Sequence, residues 1–260
     1  ADSDQTKDPY IPPVLLKAIA WIESGWAQAD YTVPYGGVGS TLISHDCGYG
    51  IMQVTTGMQN VSGVPSLDQA MIGGHYAFNI ARGARILAGK WNQSPEYRPI
   101  VGGRDPALIE DWYFAIWSYN GFAFKNHPLN PDYQPGRPPF SCGPEDDGLG
   151  HDRGQYPYQE LVLGCVAHPP IKGGAPLWEP QEVHLPDLSD PRFAEPLKVE
   201  NWNACSYEAH CAPMDIPTPN TNHKDPTAVT VTRTQLLGTP LAVVSGDAIA
   251  FEALPGGESL

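Results

Sequence analysis

Proline is the strongest local constraint on this chain, because it fixes φ and removes a backbone donor wherever it falls. Its distribution is lopsided: of 28 prolines, 8 lie in residues 1–125 and 20 in residues 126–260. Long uninterrupted helices are therefore open to the first half, while most of the second half must be loops, turns and short strands. With 260 residues, 41% of them hydrophobic, the chain can bury a sizeable core, as one large domain or as a domain with an appendage.

Apolar spacing places the helices. "IPPVLLKAIAWIESGW" sets Pro12 and Pro13 in a first turn, where a missing N–H costs nothing. It lines Val14, Leu15, Ala18, Ile19 and Ile22 along one face and offers Gly25 as a stop. "SLDQAMIGGHYAFNIARGARILAGKW" opens with Ser66 and Gln69 in capping-box spacing. Gly73-Gly74 predicts a split in that stretch, after which Ile80, Ala84, Leu87 and Trp91 recur at helical intervals. "RDPALIEDWYFAIWSYNG" reads as a helix with Asp105 as N-cap, Pro106 at the first position, a stripe of Leu108, Ile109, Trp112 and Ile116, and Asn120-Gly121 as its end. A shorter helical stretch covers residues 156–167. Residues 122–155 between the last two read as an irregular insertion. Beyond Pro169 a Pro-rich segment leads to three strand-like runs, "TAVTVTRT", "PLAVVS" and "DAIAFEAL". The expectation is a mainly α domain over residues 1–170, followed over 171–260 by a Pro-rich wrap and a small C-terminal β appendage.

A formal charge of −14 argues against nucleic acid as a partner, since phosphate binding needs clustered Lys and Arg. No apolar run approaches the roughly 18 residues that a membrane helix needs, and the opening "ADSDQTKDPY" reads as a mature or trimmed start rather than a targeting peptide. Of the five cysteines none forms a CxxC or a zinc-type spacing with His, so neither a metal nor another cofactor is expected. Cysteines of this kind fit an oxidising, exported location. We take Cys142 with Cys165 and Cys205 with Cys211 as disulfides and Cys47 as an inert buried thiol. The acidic run "PEDDGLGHD", residues 144–152, lacks the ordered spacing of a calcium loop and reads as solvated.

Two features suggest chemistry. "SHDCGYGIMQVTTG", residues 44–57, is too rich in glycine for a helix or a strand, yet it holds Met52 and Gln53 at its centre. Either Met52 plugs the core, or the loop lines a cleft and glycine lets a ligand approach the backbone. Glu23 follows Ile19 by four residues, beside the buried stripe and in the last helical turn, where the carbonyl ends disfavour a negative charge. Burial and dipole would both raise its pKa, as an acid that must hold its proton near neutrality requires. The alternative is a boundary Glu that reaches solvent.

The order of motifs joins these features. Glu23-Ser24, Ser44-x-x-x-Gly48-x-Gly50-Ile51-Met52-Gln53, Asn79-Ile80-x-x-Gly83 and Ala115-Ile116-x-x-Tyr119-Asn120 resemble the signature of the soluble lytic transglycosylase and goose-type lysozyme family. "YPYQELV" looks like that family's closing Tyr-Val helix and would put Tyr158 at the cleft. The resemblance covers about residues 10–168. It implies a lysozyme-like, two-lobed helical fold with a glycan cleft between the lobes, and Glu23 as catalytic acid/base. It further implies that Tyr119 hydrogen-bonds and orients Glu23, and that Ser44, Tyr49, Met52, Gln53, Asn79, Asn120 and Tyr158 contact substrate. Met52 would then offer an apolar face to sugar rings and Gln53 hydrogen bonds to their polar groups. Cys47-Gly48 replaces the family's usual Gly-Ala, and residues 31–41 and 122–155 are insertions.

Most glycosidases use two carboxylates, about 5–5.5 Å apart for retention and about 6.5–9.5 Å for inversion. Asp46 and Asp30 are the acids near Glu23 in the motif region, as a second carboxylate or as simple turn residues. The transglycosylase relatives work with one Glu. The expected activity is thus cleavage of the β-1,4 MurNAc–GlcNAc bond of peptidoglycan with 1,6-anhydromuramoyl ends. The alternatives are hydrolysis of peptidoglycan or of a chitin-like amino-sugar polymer on the same fold, and a glycan-binding or structural module without turnover.

Overall fold

The computed structural model describes residues 11–34, 36–59, 63–97, 103–143 and 152–190, with Phe193 and the pair Thr221–Asn222. These residues are mainly helical. Helix α1 spans Pro13–Ser24, α2 Leu67–Gly74, α3 Tyr76–Tyr97, α4 Tyr113–Tyr119 and α5 Tyr158–Ala167. Two antiparallel ribbons accompany them: β1 (Val38–Gly39) pairs with β4 (Thr221–Asn222), and β2 (Ile171–Lys172) with β3 (Ala175–Pro176). The three strand-like runs after residue 226 and the Cys205–Cys211 pair lie outside the described residues.

Local chemistry sets the helix ends. Pro12 caps α1, and Gly25, at φ +60°, ends it in the left-handed conformation that glycine adopts without strain. Ser66 and Gln69 form the reciprocal capping box of α2, and Gly74 closes that helix one residue before α3 begins. The segment before α4 corrects the sequence expectation. Asp105 does not cap a helix: its carboxylate accepts from the Ala107 N–H at 2.9 Å in a turn, and its own N–H donates to Asp111. A 3-10 turn over Glu110–Trp112 then leads into α4. Leu108 is consequently exposed rather than part of the stripe, while Ile109, Trp112 and Ile116 are buried as expected.

Helix α4 is central, buried along Tyr113–Ser118 and packed against both α3 and α5, while α1 lies on α5. Trp91 of α3 meets Trp112 at 4.3 Å between ring centres, and Trp117 meets Phe122 at 4.2 Å. Each such ring removes a large apolar area from water, about 25 cal/mol per Å². The buried line of α3 runs Asn79, Gly83, Leu87, Trp91; Ile80 and Ala84, read as part of its apolar stripe, are only partly buried.

Two cross-links fasten the irregular segment after α4. Cys142 is disulfide-bonded to Cys165 of α5, and Cys47 is a buried free thiol. Arg137 reaches Glu160 through two bonds of 2.8 and 2.5 Å, with both side chains more than nine-tenths buried. Burial raises the Glu160 pKa, and the Arg137 guanidinium opposes that rise. Removing either partner would strand a buried charge, at a cost of about 3–5 kcal/mol. Among the described residues no helix is long and apolar enough to cross a membrane, and no group of three His, Cys, Asp or Glu side chains is placed to hold a metal.

Candidate active site

The site begins at the end of α1. Ile19 and Ile22 are buried, and Glu23, four residues after Ile19, is partly exposed at the rim of that stripe. Ser24 turns inward. Its hydroxyl donates to the Ile51 carbonyl at 2.8 Å and accepts the Ala27 N–H at 3.1 Å, so the glycine loop is fastened to the residue next to Glu23.

Two buried amides hold the loop in place. Asn79 of α3 accepts the Met52 N–H at 2.8 Å and donates to the Tyr49 and Ile72 carbonyls at 2.6 and 3.1 Å. Gln28, just past α1, accepts the Ile51 N–H at 3.0 Å and donates to the Gly73 carbonyl at 2.8 Å. Gly50 sits between them at φ +67°, and a Cβ there would lie 2.4 Å from Gln28 Oε1 and 2.7 Å from Asn79 Nδ2. Only glycine fits that crossing. Within the loop Tyr49 and Val54 exchange both backbone bonds at 3.1 Å, and the Ser44 hydroxyl accepts the Gly48 N–H while donating to Asp46.

This architecture overturns several of the expected ligand contacts. Met52 is fully buried, and a Cβ on Gly83 would come within 2.7 Å of the Met52 side chain. Met52 is thus the plug between loop and α3, not an apolar face for a sugar. Tyr49 and Asn79 are equally buried, because the loop folds over them, and neither can touch a glycan. Gln53, partly exposed at φ +48°, donates its side-chain amide back to the Gly50 carbonyl at 2.7 Å. Ser44 and Asn120 are also partly exposed; Asn120 accepts from Asn126 at 2.9 Å just beyond α4.

Neither tyrosine takes the partner expected of it. Tyr119 donates its phenol proton to the Met52 carbonyl at 2.8 Å, so it braces the loop and not Glu23. The hydroxyl that meets Glu23 is that of Tyr158, at the first position of α5, which donates to Oε1. Burial holds both phenols well above their ordinary pKa, and the neighbouring Glu23 adds to the effect, so both remain donors.

The pKa of Glu23 is raised from 4.5 to about 7. Desolvation is the main cause; the Tyr158 bond to the carboxylate opposes it, Asp46 adds to it, and Arg153 opposes it more weakly. Asp46 is exposed, tied to Ser44. Asp30 is a turn residue whose carboxylate accepts the Thr32 N–H and hydroxyl at 2.9 and 2.7 Å, bonds that lower its pKa. Gln28 and Arg153 are the residues that sequence reading missed. Gln28 carried no signal, but Arg153 is a cation next to an acidic run and shortly before the tyrosine that meets Glu23.

A carboxyl that titrates near neutrality, oriented by one phenol and partly open to solvent, can give up a proton and take one back. No family model matches the chain, and neither a curated protein nor a solved structure is detectably similar to it.

Proposed function

We propose that this chain is an exported peptidoglycan lytic transglycosylase with a two-lobed, lysozyme-like fold, and that Glu23 is its single acid/base. The observation that carries the reading is the Glu23 carboxyl: desolvated on the last turn of α1, raised to about 7, and bonded by Tyr158. The motif order supports the glycan class, and the Cys142–Cys165 disulfide supports export.

In this reaction protonated Glu23 gives its proton to the glycosidic oxygen as the C1–O bond of the muramic acid breaks. Its carboxylate then accepts the proton of the C6 hydroxyl of the same sugar. The C6 oxygen attacks C1, closing a 1,6-anhydro ring and returning Glu23 to its acid form without net use of water. Tethering gives the C6 oxygen a large effective-molarity advantage over water. Glu23→Gln keeps size and hydrogen bonding but transfers no proton. It should reduce release of anhydromuropeptides from purified cell walls at least about a hundredfold while the fold persists. Near-normal release by the variant would remove Glu23 from the role.

A specific observation favours a second reading, hydrolysis. Asp46, exposed on the glycine loop and near enough for its charge to raise the Glu23 pKa, is in that reading the second carboxylate that activates water. Mass spectrometry of the digest separates the two, since each anhydro end is one water lighter than a reducing end. Reducing ends that vanish with Asp46→Asn would establish the hydrolase.

A further inference from the structure

The last turn of an α-helix leaves carbonyls without intrahelical partners. At the end of α1 the Ala20 carbonyl accepts from Trp26 N–H, Trp21 from Gly25, and Ser24 from Ala27 and the Tyr31 phenol. Ile22 differs: its carbonyl accepts from Arg153 Nη2 at 2.6 Å, across 131 residues of sequence. A guanidinium at a helix C-terminus is favoured by the helix dipole. The turn that carries it is itself fixed, because the Asp152 carboxylate and carbonyl accept the Gly154 and Gln155 N–H groups, each at 2.9 Å. Five residues on, the same connection supplies Tyr158 to Glu23. One segment therefore grips the last turn of α1 twice, once on the backbone of Ile22 and once on the carboxyl of Glu23.

The charged and titratable groups near Glu23 come from four places: Tyr158 of α5, Asp46 of the glycine loop and Arg153 of the turn before α5, which act on its carboxyl, and Tyr119 of α4, whose phenol feels the Glu23 charge. Arg153 is the cation among them. We propose that Arg153 is a positioning residue of this site: held on the Ile22 carbonyl one residue before Glu23, its guanidinium clamps the last turn of α1 and fixes a positive charge beside the Glu23 carboxyl.

This role rests on the acid/base reading of Glu23 above, and it explains a requirement of that reading. A carboxyl that serves both half-steps must be accessible in both forms at one pH. Desolvation and Asp46 together hold Glu23 in the acid form, which suits the first half-step and hinders the second. Arg153 opposes them from the backbone side, its Nη2 held on the carbonyl of Ile22, the residue before Glu23.

The test is a carbon-13 NMR titration of the Glu23 side-chain carboxyl, assigned by the signal lost in Glu23→Gln. Arg153→Gln should raise the midpoint by roughly a third of a pH unit, less than loss of the Tyr158 bond does, an exposed charge being partly screened. Arg153→Lys should restore most of the wild-type value, and Asp46→Asn should lower it. Arg153→Met, which keeps the aliphatic stem, replaces the Gln variant if that variant does not fold. A midpoint that stays in place when the charge of Arg153 is removed from a folded chain overturns the proposal, as does a rise that Lys fails to reverse. The alkaline limb of cell-wall cleavage should move with the midpoint. If the midpoint moves but wild-type protein cleaves no glycan, the transglycosylase reading fails while the assignment of Arg153 to Glu23 stands.

Discussion

The glycine loop, residues 44–54, and the connection over residues 152–158 both abut the last turn of α1, but they serve it by different means. The loop is joined to its surroundings through backbone groups: Ile51 to Ser24 and Gln28, Met52 to Asn79 and Tyr119. Its bulky side chains, Tyr49 and Met52, point into the core. The connection contributes side-chain ends, the Tyr158 hydroxyl on Glu23 and the Arg153 guanidinium on Ile22. Motif residues that look alike as candidate ligands in the sequence thus separate into scaffold and chemistry. A loop made of positive-φ turns needs partners for its own amides, and buried side chains supply them. A carboxyl that must change charge needs polar groups aimed at it, and these come from a different element.

That contrast predicts that variants of the loop's buried anchors act on stability and connection variants on the titration of Glu23, with the exposed Asp46 as the one loop side chain whose charge reaches that carboxyl. The largest effect should come from Asn79→Leu. It leaves the buried Met52 N–H and Tyr49 carbonyl without their side-chain partner and should cost about 3–5 kcal/mol, read from urea denaturation. The Glu23 midpoint should hardly move in the folded fraction; a shift as large as that of Arg153→Gln would erase the distinction between the two regions.

Next in size is a pH effect. The folded-state pKa of Glu23, about 7, lies above its ordinary 4.5, so the folded protein holds a proton that the unfolded chain gives up. The resulting stability is present below about pH 4.5 and is lost as pH rises to about 7, a change of order 3 kcal/mol before solvent screening at the partly exposed carboxyl reduces it. Glu160, also raised by burial, contributes in the same direction but is present in both proteins compared. Melting temperatures of Glu23→Gln and wild type should therefore diverge between about pH 4.5 and 7, with the variant gaining as pH rises. Parallel curves would mean that Glu23 is not desolvated.

The smallest effects sharpen the contrast most, since they compare two hydroxyls. Tyr158→Phe removes a bond to the charged form of Glu23 and should raise its midpoint by about half a unit, with loss of about 1 kcal/mol of stability. Tyr119→Phe should cost a similar amount, about 1 kcal/mol, and leave the midpoint in place, because its bond goes to the Met52 carbonyl. The opposite pattern of midpoints would return Tyr119 to the role that the motif order suggested.

Much of the helical framework was legible from the sequence because helix ends are local. Pro12 and Pro13, the Ser66–Gln69 box, the Gly73-Gly74 break and the αL stop at Gly25 all act within a turn or so of where they stand. The placement of Glu23 beside the stripe of α1 followed from the same helical spacing. Asp105 misled because an N-cap and an Asx turn share one residue type, and the choice depends on whether the next residues can bury a helical face. Leu108 does not.

What only the tertiary structure decided is the direction of side chains in the loop and the identity of the partner of Glu23. Met52 meets Asn79 across 27 residues and Tyr119 across 67, and Tyr158 meets Glu23 across 135. Contacts at such separations leave no period in the sequence, since they depend on how helices pack and not on how any one of them is built. The glycines of the loop signalled backbone freedom, but freedom fits an open cleft and a tightly pinned turn equally well. Packing Met52 against Gly83 and threading Gly50 between Gln28 and Asn79 made the loop scaffold, and left the hydrogen bond on the Glu23 carboxyl to Tyr158, 135 residues along the chain.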